Sequence, residues 1–172
     1  MKLREEILKE HSKAQRIKIV NWIGNNQRRF DELFDLFIND EYRVVQRAGW
    51  PLSYCVIEHP QFIKNHWKQL IGNLKKPNLH DAVKRNSIRL MQDLDIPEKY
   101  QGEVMDICFT YLESPTEALA VKVFSMSVLG NLAKIYPEII PEIKILLEDQ
   151  LPLQTAGFKS RAKKVLKQIG KL

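Results

Sequence analysis

Segments of this chain recur at a fixed offset of 38 residues. Val45-Gln46-Arg47-Ala48-Gly49-Trp50-Pro51-Leu52 aligns with Val83-Lys84-Arg85-Asn86-Ser87-Ile88-Arg89-Leu90. One further step places Val83-Lys84 on Val121-Lys122, Ser87 on Ser125 and Ile88 on Met126. Leu74, Leu112 and Leu151 close equivalent segments at steps of 38 and 39. A period in this range marks stacked helical hairpins. One such hairpin cannot bury its apolar face alone, so it packs on the next. The repeat therefore constrains the architecture strongly and the chemistry hardly at all.

Apolar spacing fills each period with helix and nowhere shows the alternation of a strand. Leu3, Ile7, Leu8, Ile17, Val20 and Ile23 fit one first helix over residues 3–23. Gly24-Asn25-Asn26 ends it, because both residue types accept the left-handed conformation of a helix end. Phe30, Leu33, Phe34, Phe37 and Ile38 make one stripe on a second helix. A third helix is predicted over 41–58, with a kink at Gly49-Trp50-Pro51, where Pro51 removes a donor and crowds the preceding turn. His59-Pro60 stops it. Further helices are predicted over 61–74, over 81–94 with Asp81 as cap, and from Pro97 to about Leu112. Ser114-Pro115-Thr116-Glu117 reads as a capping box opening a helix over 115–135. That helix is apolar on nearly all sides and so central. Residues 141–150 and 156–169 supply the last pair. The fold expected is all-α: one domain over residues 1–172, a right-handed α-α superhelix of about four hairpins and about eight helices.

Asp40 with Val45-Gln46-Arg47-Ala48 and Leu52, and Asp81 with Val83-Lys84-Arg85 and Leu90, resemble the second helix of HEAT repeats. The whole chain resembles a short HEAT-like or armadillo-like α-solenoid. The resemblance implies an interaction scaffold with a concave surface lined by second helices. It also implies a ladder between neighbouring repeats, with Asp40 and Asp81 as acids and Lys84 and Lys122 as bases. One HEAT-like branch, the DNA glycosylases that excise alkylated bases, depends on an Asp among Trp and Arg residues in that concavity. Trp50, Trp67, Arg43, Arg47, Arg85 and Arg89 match those residue types. No Asp accompanies Trp50 on the second-helix positions; Asp93 and Asp95 lie at a helix end instead.

The formal charge of +6 is uneven. Residues 41–80 carry +4 and residues 155–172 carry +6, while residues 81–120 carry −4. The terminal basic run, Lys159 to Lys171, reads as a solvated cap face. No apolar run reaches the length of a membrane span, and the charged start, Met1-Lys-Leu-Arg-Glu-Glu, lacks the core of a secretory signal. A cytoplasmic location is expected. Cys55 and Cys108 sit in apolar stretches and read as small core residues. His11, His59, His66 and His80 are scattered without ligand spacing, so no metal site is expected. No phosphate loop, dinucleotide fingerprint or nucleophile elbow occurs. No catalytic residue and no cofactor follow from the sequence.

The best candidate surface lies on the third helix. Arg43, Arg47, Trp50 and Tyr54 fall at i, i+4, i+7 and i+11, on one side. Arg85 repeats Arg47 one period later, and Arg89 follows by four. Arg, Trp and Tyr dominate interface hot spots, so these six residues can anchor an acidic protein or peptide. They can also bind phosphate while a base stacks. Alternatively, the arginines pair with acids of a neighbouring repeat and Trp50 packs under the kink. The expected function is a non-enzymatic scaffold for another macromolecule, protein before nucleic acid.

Overall fold

The computed structural model describes residues 1–172 and contains ten α-helices. They are α1 (Leu3–Lys9), α2 (Lys13–Ile23), α3 (Gln27–Asn39), α4 (Tyr42–Glu58), α5 (Trp67–Leu74), α6 (Asp81–Met91), α7 (Glu98–Glu113), α8 (Leu119–Leu132), α9 (Ile140–Gln150) and α10 (Ala156–Ile169). Short 3-10 turns occupy Pro60–Asn65, Pro137–Ile139 and Leu151–Leu153. The chain is all-α, as the repeat requires, with ten helices in place of about eight. Its residues cluster into two compact units, Met1–Leu94 and Asp95–Leu172.

In the first unit, the expected helix over 3–23 is two helices. Glu10 is fully extended, and the Ser12 side chain accepts the Gln15 N–H to start α2. α2, α4 and α6 follow one another side by side, with α1 and α3 also packed on α4. Phe30, Leu33, Phe34 and Phe37 of α3 are sealed in the core with Ile7, Ile23 and Leu52. The Phe30 ring lies 5.0 Å from that of Phe62 in the turn after α4. Gly24 takes φ +49° at the end of α2, the conformation for which glycine pays no steric cost. α4 runs unbroken through Pro51. The helix expected over 61–74 divides at His66, whose Nε2 lies 2.7 Å from Asp31 and whose ring stacks on Phe34. α6 is capped by His80 rather than Asp81, with Nδ1 accepting the Ala82 N–H at 3.1 Å.

In the second unit, α8 packs on α7 and α10. Val121, Met126, Val128 and Leu129 of α8 are buried with Leu112, Ile143, Leu147 and Phe158. The capping box expected at Ser114 does not form. α8 starts at Leu119, with Ala118 at its N-cap. Ser114 instead closes α7, its N–H bonding to the Thr110 carbonyl. The cause is geometric: two helices lying against each other need several residues of turn, and 114–117 supply it.

Side-chain ties recur at the sequence period inside each unit. In the first they join Arg4 to Asp40, Gln27 to the Phe62 carbonyl, Asp31 to His66 and Arg47 to the Leu8 carbonyl. In the second they join Tyr136 to Gln101, Gln150 to the Leu112 carbonyl, Arg161 to Ser127 and Gln168 to the Gly130 carbonyl. The separations run from 34 to 39 residues. Two members of the implied Asp–Lys ladder, Asp40 and Lys122, have other partners. Asp40 is held in a fork by Arg4 of α1 (2.8 and 3.0 Å), not by a second-helix lysine. Lys122 is buried and donates to the Gln150 amide oxygen at 2.9 Å. Burial lowers its pKa against the opposing pull of Glu117.

Candidate functional site

α4 divides cleanly along its length. Val44, Val45, Ala48, Leu52, Cys55 and Val56 are buried. On the other side Arg43 is exposed, while Arg47, Trp50 and Tyr54 are partly exposed. Ile57, three residues on, extends this stripe and is 57% exposed. Arg85 and Arg89, on the neighbouring α6, are also partly exposed.

The residues of the stripe do not act alike. Arg47 donates to the carbonyls of Leu8 (2.8 Å) and Ile7 (3.4 Å). These are orphan acceptors at the C-terminal end of α1, so this guanidinium is a cap in trans. Trp50 borders the same shallow hollow as Arg47 and lies 5.3 Å from the His11 ring. Arg89 lies on a different cleft between α4 and α6, of about 90 Å³, with Ser53, Ile57 and Asp93. Arg43 and Arg85 border neither hollow.

What joins Trp50 to Tyr54 is a residue that the sequence reading passed over, Arg16 of α2. Its guanidinium carbon lies 3.6 Å from the Tyr54 ring centre and 5.2 Å from that of Trp50. Arg16 is 8% exposed, and its Nε is buried without a hydrogen-bond partner. A signal for it existed. Arg16 stands 38 residues before Tyr54, so the two occupy equivalent positions on adjacent second helices and meet face to face.

α4 and α6 approach closely at one point. A Cβ at Gly49 would overlap the Asn86 side chain. This contact sets how near Arg85 and Arg89 come to the α4 stripe. Burial pushes the thiols of Cys55 and Cys108 up to about 12, which keeps both protonated and unreactive. Trp67 is in the core at 3% exposure. No group of three or more His, Cys, Asp or Glu side chains is arranged to hold a metal ion. No helix is long and apolar enough to cross a membrane.

Compared with known families, residues 3–169 match the model of the HEAT repeat domain. No curated protein and no solved structure matches the chain.

Proposed function

The chain belongs to the HEAT repeat family, and on that premise we propose that it is a non-enzymatic scaffold that binds another protein on the face formed by α2, α4 and α6. The observation that carries this reading is the α4 stripe. It presents a guanidinium, two partly exposed aromatic rings and an exposed isoleucine in one row, where a fully solvated helix face would be charged and small. Arg, Trp and Tyr are the residue types that supply most binding energy when a partner desolvates them. Arg43, Trp50, Tyr54, Arg85 and Arg89 are the proposed contacts, with Arg47 holding the rim of the site.

Charge supports the same face. Residues 1–94 hold 17 Lys and Arg against 11 Asp and Glu, and residues 95–172 hold 10 of each. The whole excess of +6 thus resides in the first unit, which favours an acidic partner. The nucleic-acid reading needs an open ring on which a base stacks. The Tyr54 ring is already taken by Arg16.

The test compares binding of a capped acidic peptide with that of single- and double-stranded DNA, at low and physiological salt. Arg43→Glu with Arg85→Glu is the informative variant, because Arg47→Glu would also release the end of α1. Peptide binding weakened about tenfold by the double variant, roughly 1.4 kcal/mol, is expected for two lost charged contacts on an exposed or partly exposed face. DNA binding that is tighter than peptide binding and falls steeply with salt would overturn the reading.

A further inference from the structure

We propose that Arg16 is a carboxylate anchor, the point at which an acidic segment of a partner protein is gripped; the inference rests on the protein-binding reading above. Arginine stays protonated at any physiological pH. A buried charge is costly unless it is paired and its donors are satisfied. Arg16 forms no ion pair, and its Nε is enclosed without a hydrogen-bond partner. The rings of Tyr54 and Trp50 offset part of the cost by cation–π attraction. Stacking uses the face of the guanidinium and leaves its N–H donors unmade, since these lie in the plane of the group. That plane is the part that a carboxylate engages in a fork.

Arg16 lines two shallow hollows. One is shared with His11, Ser12 and Trp50, the other with Ile17, Asn21 and Tyr54. Ile17, which lines the second hollow, is 41% exposed, so a peptide that places a carboxylate on Arg16 has apolar surface beside it to cover. Glu10 borders the first hollow and Glu58 the second. Two acids at the rim suit a ligand with one negative charge at that point better than a phosphate chain. Neither forms an ion pair with Arg16. Glu58 is the built-in competitor for it.

The test uses the full chain labelled with nitrogen-15 and follows the Nε–H signal of Arg16. The titrants, at constant ionic strength, are sodium acetate, the capped peptide Ac-Leu-Glu-Leu-Glu-Leu-NH2, its Gln counterpart, and a single-stranded oligonucleotide. A saturable Arg16 shift with acetate and the Glu peptide, but not the Gln peptide, is expected. Arg16→Lys is expected to weaken peptide binding about tenfold, through loss of the two-pronged contact. Tyr54→Leu keeps the cation and removes its platform, and is expected to weaken binding in a protein whose backbone spectrum is otherwise retained. Glu58→Gln is expected to tighten it. No saturable shift at Arg16 with acetate or the Glu peptide would overturn the proposal. Peptide shifts confined to Arg85 and Arg89 would overturn it and leave the protein-binding reading standing. Shifts with the oligonucleotide alone would overturn both.

Discussion

A single missing side chain at Gly49 lets α4 and α6 close on each other. The Asn86 side chain occupies the space, with its amide nitrogen enclosed and without a partner. Gly49→Ala gains helix propensity of about 1 kcal/mol, but it forces the Asn86 Cβ and amide aside. Overpacking of this kind costs roughly 1–3 kcal/mol, so a net loss of stability is expected in urea denaturation. Gly49→Ala combined with Asn86→Ala should recover only part of it, because the Cβ at position 86, 2.9 Å away, remains. At this scale the sequence was legible only where the period was read through to side-chain partners. Arg43, Arg47, Trp50 and Tyr54 came from the spacing along one helix. Arg16 was missed: only stepping 38 residues back from Tyr54 reaches it, a relation between helices that a one-helix view omits. The capping role of Arg47 had no local signal, because its acceptors are main-chain atoms 39 and 40 residues away.

α1 is the element most dependent on such ties. It has seven residues and no side-chain N-cap, so it is far too short to hold itself helical. Arg47 binds its last carbonyls, and Arg4 ties its start to Asp40. Glu6 receives Lys18, Lys9 and Gln15. Arg47→Met is expected to cost about 1–2 kcal/mol, the worth of a hydrogen bond from a charged group at a partly exposed site. Amide exchange over Leu3–Lys9 should rise first. The same element should respond to acid. The hydrogen bonds from Lys18 and Lys9 hold the Glu6 carboxyl at about 2, and Arg4 holds Asp40 below its usual range. The unfolded chain therefore binds more protons than the folded one between the ordinary carboxylate range and pH 2, and stability falls as the pH is lowered through that window. Glu6→Gln should flatten the acid limb of a stability profile. Helix starts were hard to read, because the same pattern can open a helix or a turn. Ser12-Lys13-Ala14-Gln15 and Ser114-Pro115-Thr116-Glu117 share one capping pattern. The first opens α2. The second is spent on a turn, because α7 reaches Glu113 and the chain must reverse before α8.

Over the whole molecule, charge and repeat are distributed differently. The hairpin pattern runs through both units, whereas the net charge belongs to residues 1–94. Addition of a soluble acidic polymer such as poly-glutamate at low salt should therefore perturb backbone amide signals of the first unit and leave those of 95–154, where 4 Lys and Arg stand against 10 Asp and Glu, nearly unmoved. The effect should fade as salt shortens the screening length to about 10 Å. Equal perturbation of both units would mean that the Lys159–Lys171 run matters as much as the α4 face. The architecture was the most legible property, since a 38-residue period of apolar positions admits little besides helical pairs. The helix count was less so, because Glu10 to Ser12 and His59 to His66 interrupt helices without disturbing the apolar period.

The side-chain ties that span one period have a consequence for how the chain finds its fold. Each closes a loop of 34 to 39 residues, whichever helices it joins. Loop-closure entropy in a flexible chain grows only weakly with that length, by about 0.6 kcal/mol per doubling. Every such hairpin-to-hairpin step therefore faces nearly the same search. Assembly proceeds by repetition of one small problem, and a zipper of equal teeth has no single tooth on which closing must wait.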